Sequence, residues 1–220
     1  MKKVPSIKEL EKVASSPDVW IWFLYRRISV RITRIFLHTS ITPNQISIIS
    51  IFIAVLGGVL LSIGEFWFFV MGGLCFIFST LLDGVDGEVA RYKKMTSRMG
   101  ERLETLNYCV THLSMYIGLV WGVYRSLGNS LVLLFGLPMI LLNLLTNPRK
   151  LKNIAWEINA LITENDYIGY WIISGAILDL FMPKITVYSF SMSYLMIFIL
   201  IMLFVGFLKL ILTLILDKKI

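Results

Sequence analysis

Asp83 and Asp86 stand three residues apart at the tail of an apolar run, and Glu104 is the next carboxylate that can return toward them. On a helix, that i, i+3 spacing puts the two aspartates on one face. Unpaired carboxylates at membrane depth are costly and face polar cavities. Several converging carboxylate oxygens suit a hard divalent cation, and Mg²⁺ commonly shares its coordination with substrate phosphates. Gly84 and Gly87 leave room beside the acids for backbone or substrate. Arg91, four residues after Gly87, can grip a phosphate through two hydrogen bonds, and Lys93, Lys94, Arg98 and Arg102 follow it. A helix end satisfied by nearby Arg or Lys would explain Asp83 and Asp86 alone. With Glu104 and five basic residues in the same stretch, the residues point to metal plus phosphate, and hence to phosphoryl transfer clamped by metal ions.

The elements that must carry these groups are membrane helices. The chain has 220 residues, 57% of them hydrophobic and 16% charged, and its mean hydropathy is +0.77. Those values exclude an ordinary soluble domain. A spanning helix needs about 20 mostly apolar residues. Six stretches qualify: Ile46–Ile63, Phe66–Leu82, Thr105–Tyr124, Ser130–Leu145, Tyr167–Met182 and Tyr188–Leu216. Trp67, Trp121 and Trp171 fall near segment ends, as interfacial anchors do. Before the first span, "WIWFLYRRISVRITRIF" places Arg27, Arg31 and Arg34 at i, i+4, i+7 opposite apolar residues, which predicts a helix lying in the membrane interface. "TSITPNQIS" then reads as a helix start, with Pro43 in the first turn and Ser40 or Thr42 as cap. Cys75 and Cys109 sit in apolar segments without metal-ligand spacing and read as packing residues. No cleavable signal peptide is expected, because Lys2, Lys3, Lys8 and Lys12 are followed by no apolar run before Trp20.

Charge fixes the expected orientation. Of 21 Lys and Arg, only Arg125 and Lys184 fall on one side of the six-span arrangement. The other 19 lie in residues 1–45, in the loops around 83–104 and 146–166, and at the C-terminal end. By the positive-inside rule both termini and the acid-bearing loop are cytoplasmic. The net charge of +7 therefore reports topology and an anionic partner, not nucleic acid. The expected architecture is all-α: a cytoplasmic or interfacial segment over 1–45, a six-helix membrane domain over 46–216, and a tail over 217–220.

"DGVDGEVAR", eight further residues and "GERLE" resemble the motif of the CDP-alcohol phosphotransferase family, matching at Asp83, Asp86, Gly87, Ala90, Arg91 and Gly100. "TPNQIS" and the place of the motif between spans two and three are similar too. The N-terminal stretch most resembles the branch of di-inositol-phosphate-phosphate synthases. The resemblance implies transfer of a phosphoalcohol group from a CDP-alcohol to an acceptor hydroxyl with release of CMP, in a prokaryotic cytoplasmic membrane, by a homodimer using Mg²⁺ or Mn²⁺. It implies metal binding by Asp83 and Asp86, with Glu104 in the place of the third motif aspartate, and a CDP site lined by Gly87, Ala90, Arg91 and Gly100. Tyr108 occupies the place of the fourth aspartate, which in the family acts as base. A phenol is a poor base near neutral pH. His112, one turn on, forms an i, i+4, i+8 stripe with Glu104 and Tyr108 and is the substitute base; a hydrogen-bonded bundle histidine is its plainer reading. Tyr108 also opens a second function: a member that binds CDP-alcohol or lipid without turnover. In the inner loop, Arg149, Lys150 and Lys152 could hold an anionic acceptor or simply mark topology. A transporter is disfavoured, since no span carries a central charge or paired broken helices.

Overall fold

The computed structural model describes residues 20–145, 168–182, 185–187 and 190–217. The lysines before Trp20, the inner loop with Arg149, Lys150, Lys152, Glu164 and Asp166, Lys184, and residues 218–220 lie outside the described residues. Among the described residues, seven helices follow in chain order: α1 (Trp20–Leu37), α2 (Pro43–Ser62), α3 (Phe66–Lys93), α4 (Arg98–Leu127), α5 (Leu131–Leu145), α6 (Ile168–Phe181) and α7 (Tyr194–Asp217). Between α6 and α7, β1 (Ile185–Val187) and β2 (Phe190–Met192) pair antiparallel, Val187 opposite Phe190 and Ile185 opposite Met192. The helical class is as expected; the ribbon is an addition. It falls where the sequence reading put a turn and the start of the last span, because three-residue strands carry too short a period to register.

Among the described residues, three helices are long and apolar enough to cross a membrane: Pro43–Ser62, Phe66–Lys93 and Tyr194–Ile211. The apolar helices Leu131–Asn143 and Gly169–Phe181 are shorter. The 30 residues of α4 open on Arg98, Glu101, Arg102 and Glu104 and carry Asn107, Thr111, His112 and Ser114 beyond them, and this polarity keeps it out of the same class. Two helices outrun the apolar stretches that announced them. α3 continues past Leu82 to Lys93 and α4 begins at Arg98, so the polar motif is itself helical.

The chain divides into two compact units, Met1–Ile53 with Phe78–Val110 and Ala54–Ile77 with Thr111–Ile220, so α2, α3 and α4 contribute to both. In the first unit, Ile46, Val85 and Val89 are fully buried, with Ile32, Phe36, Leu37, Ile41 and Leu82 packed on them. α1 presents Ser29, Val30 and Thr33 inward and leaves Arg27, Arg31 and Arg34 exposed. α2 opens with a capping box: the Gln45 amide donates to Thr42 Oγ1 at 3.4 Å and the Thr42 amide to Gln45 Oε1 at 2.9 Å. Thr42 is thus the cap, and Pro43 takes the first helical position, where its missing N–H is harmless.

α3 ends in a Schellman cap. The Met95 amide donates to Ala90 O at 2.9 Å and the Lys94 amide to Arg91 O at 3.3 Å. The left-handed residue of that cap, Lys94 with φ of 54°, is not glycine. A side chain in that conformation costs about 1 kcal/mol. Lys94→Gly is therefore expected to raise the melting temperature of the purified protein by about 2–4 °C. An unchanged or lowered melt would show that the cap holds no such strain. Lys93 holds the other side of this corner, its Nζ donating to Thr39 O at 3.1 Å and Ile41 O at 2.8 Å. That ties the end of α3 to the segment leading into α2.

In the second unit a larger core gathers Leu61, Phe69, Tyr116, Leu119, Met139, Ile172, Met196 and Ile199, all buried. Asp179 on α6 accepts the amides of Tyr194 at 2.5 Å and Leu195 at 3.3 Å, and Ser193 Oγ accepts that of Met196 at 3.1 Å, so the start of α7 is capped twice.

Candidate active site

A cavity of about 330 Å³ opens in the first unit. α2 contributes Asn44 and Ser47, α3 contributes Asp83, Asp86, Gly87, Ala90 and Arg91, and α4 contributes Gly100, Glu101 and Glu104. Every residue that the sequence assigned to metal or to CDP is therefore brought to one place. The reason is local. α3 keeps its helical period through the motif, so residues 83, 86, 87, 90 and 91 stay on one face. Ser97 caps α4 by accepting the Gly100 amide at 3.1 Å, which starts the next helix with Gly100 and Glu104 facing the same space. A Cβ at Gly87 would stand 3.4 Å from Arg91 Nη1, and one at Gly100 would stand 3.7 Å from Asn44 Oδ1. Bulk at either position would fill the cavity beside the arginine and the capped helix start.

Both aspartates are half-buried, whereas Arg91 and Glu104 are exposed. Asp83 Oδ1 accepts from Asn107 Nδ2 at 2.5 Å. Asp86 Oδ2 accepts from the Ser47 hydroxyl. Asp83 lies close enough to repel Asp86, and Glu104 repels both. Three mutually repelling carboxylates beside an arginine form a donor set of hard oxygens that a divalent cation would neutralise. Among the described residues, no three His, Cys, Asp or Glu side chains gather tightly enough to enclose an ion by themselves. Mg²⁺ does not require such a cage; it is typically held by one or two carboxylates, with water and substrate phosphates completing the shell. The residues fit a cation shared with a bound pyrophosphate.

Neither Tyr108 nor His112 lines the cavity. Tyr108 is half-buried, and His112 lies in the second unit, buried, with its ring 6.1 Å from that of Tyr116. Helix geometry explains this placement. Each i, i+4 step turns about 40° further around the axis, so a stripe through 104, 108 and 112 walks off the face shared by Gly100 and Glu104. The residue on that face is Asn107, three beyond Glu104. Sequence reading passed over Asn107, Ser47 and Glu101. The i+3 and i+7 spacing of Asn107 from Glu104 and Gly100 was the available signal.

Residues 23–150, more than half of the chain, match the family model described as ceramide phosphoethanolamine synthase. A bifunctional IPC transferase and DIPP synthase of Thermococcus kodakarensis is 28% identical over 83 residues, 38% of this chain and 18% of that protein. The match thus spans less than one fifth of that relative's length. The crystal structure of Mycobacterium tuberculosis phosphatidylinositol phosphate synthase with CDP-DAG bound is similar with a TM-score of 0.63 at 18% identity, over 86% of this chain and 92% of that one. The same enzyme in complex with manganese and citrate gives a TM-score of 0.60 at 18% identity, over 86% and 88%. At such identity the likeness is one of fold.

Proposed function

The chain belongs to the CDP-alcohol phosphotransferase family, through its match to the ceramide phosphoethanolamine synthase model, and we propose that it transfers a phosphoalcohol group from a CDP-alcohol to an acceptor hydroxyl. In that reaction the acceptor oxygen attacks the phosphorus that bears the alcohol. The bond from that phosphorus to the CMP oxygen breaks, CMP leaves with the electron pair, and the hydroxyl proton passes to a base. The observation that carries the reading is the single cavity shared by Asp83, Asp86, Glu104, Gly87, Ala90, Arg91 and Gly100. In this proposal the three carboxylates hold Mg²⁺ or Mn²⁺, and the cation supplies charge neutralisation for the pyrophosphate. Arg91 clamps a phosphate, and the gap beside Gly87 and Gly100 admits the nucleotide. Tyr108 and His112 stand as the expected proton acceptors.

The proposal extends to the membrane. α1 lies in the interface, six spans follow over 46–216, and the cavity and both termini face the cytoplasm, where the basic residues collect. The active form is a homodimer. A second reading, binding of CDP-alcohol or lipid without turnover, is favoured by one observation: neither Tyr108 nor His112 lines the cavity.

One assay tests these points together. Purified protein is incubated with a panel of CDP-alcohols and acceptors in Mg²⁺ or Mn²⁺, and CMP release is followed. The expected result is cation-dependent release from at least one pair, present in inside-out vesicles and lost in sealed right-side-out ones. Release only from right-side-out vesicles would reverse the orientation. No release from any pair, restored by Tyr108→Asp, would replace transfer by the second reading.

A further inference from the structure

We propose that Asn107 is a positioning residue for Asp83, the last link of a buried uncharged relay that runs from Ser79 through Ser50 to the cavity. The inference rests on the functional reading above and adds to it the group that sets the aspartate's direction. Asn107 is 2% exposed. Its Nδ2 donates to Asp83 Oδ1 at 2.5 Å and to Ser50 Oγ at 3.2 Å. A carboxylate only accepts, so the nitrogen of the amide must be the end facing Asp83. Ser50 is in turn fixed by Ser79: its hydroxyl donates to Ser79 O at 2.9 Å, and the Ser79 hydroxyl donates to Ser50 O at 3.0 Å. Ser50 and Ser79 are themselves buried. The amide therefore cannot swing without leaving buried polar groups unpaired, which costs about 1–3 kcal/mol for each.

The same device recurs along α3. Asp86 is held by the Ser47 hydroxyl from α2, and Glu88 accepts from Ser29 Oγ at 2.9 Å and Thr33 Oγ1 at 2.6 Å on α1. Three carboxylates of one helix are thus each held by neutral donors, and each set comes from a different helix. A lysine or arginine would hold an aspartate equally well but would cancel its charge. An amide or hydroxyl fixes direction and leaves the negative charge for a ligand in the cavity. Asp83 Oδ2 and Asp86 Oδ1 take no part in these side-chain bonds.

Mn²⁺ alone is the probe. Its binding to purified protein is titrated by the electron paramagnetic resonance of the free ion, with melting and CMP release measured on the same samples. Asn107→Leu keeps the branched shape and the number of side-chain heavy atoms and removes the donor, so it should weaken Mn²⁺ binding about 10- to 100-fold, as loss of a group that orients a metal ligand does. Ser50→Ala, which leaves Asn107 in place but unbraced, should weaken it in the same direction by less. A folded Asn107→Leu protein with wild-type Mn²⁺ affinity overturns the inference and leaves the functional reading standing. If Asn107→Leu does not fold, unchanged affinity in Ser50→Ala overturns it. A wild-type protein that neither binds Mn²⁺ nor releases CMP overturns the functional reading, and this inference with it.

Discussion

Asp86→Asn should cut CMP release by at least about a thousand-fold while the protein stays folded. The substitution is isosteric and removes one negative charge. The carbonyl oxygen of the new amide can still accept from Ser47, which bonds Asp86 now, so packing around α2 and α3 has little reason to change. The loss falls on the cavity. Removing one preorganised electrostatic group from a water-poor site costs about 10²–10³ in rate. Here the removed charge is also one of three carboxylates that repel one another across the cavity and would be the counter-charges of a cation. CMP release at saturating CDP-alcohol, over a range of Mn²⁺ concentrations, separates the two contributions. Weak binding is recovered at high Mn²⁺, whereas lost transition-state stabilisation is not. A folded Asp86→Asn protein with undiminished release would remove this carboxylate from the mechanism. Ser47→Ala is the milder companion, since it removes one hydrogen bond from the aspartate without neutralising it.

Asp83, Asp86, Gly87, Ala90 and Arg91 were legible as one face because their spacing lies within one continuous helix. α3 keeps its period from Phe66 to Lys93, so positions counted along the chain map directly onto one face. The start of α2 was legible for the same reason, since a capping box is a four-residue pattern. The relay through Ser50, Ser79 and Asn107 was not, because its members come from three helices and each is an ordinary polar residue taken alone. Nothing local distinguishes a serine that bonds across a helix interface from one that bonds its own turn. The stripe through Tyr108 and His112 drifts by a small angle from the face that carries Gly100 and Glu104, and only the packing of α4 decides whether the face at 107 or at 108 turns inward. The span count has a related weakness. Hydropathy finds long apolar helices, and α4 gives up apolar surface both at Glu101 and Glu104, which line the cavity, and at Asn107, Thr111 and His112 beyond them.

Gly122→Ala should prevent the second unit from folding, although it adds a single methyl group. Gly118 and Gly122 lie four apart on α4 and meet α2 backbone to backbone. A Cβ at Gly122 would fall 2.0 Å from Leu61 O, and one at Gly118 would fall 2.3 Å from Gly58 O. Small residues four apart let membrane helices touch in this way, where packing and short polar contacts replace the hydrophobic drive of water. The methyl cannot be absorbed by a rotamer change, because the atoms it meets are carbonyl oxygens of a regular helix. The helices must separate, and Leu61 and Leu119, both fully buried, would lose contacts along the whole interface. Overpacking against movable side chains already costs about 1–3 kcal/mol; against backbone the cost should exceed that range and approach the whole stability of a domain. Gly128→Ala is the control. Its φ of 63° also favours glycine, but nothing stands within 4 Å of a Cβ there, so the expected loss is only about 1 kcal/mol of backbone strain. Size-exclusion profiles and melts in detergent separate the two variants. If Gly122→Ala were monodisperse with a wild-type melt, α2 and α4 would not be in backbone contact, and the close approach at Leu61 would have to be abandoned.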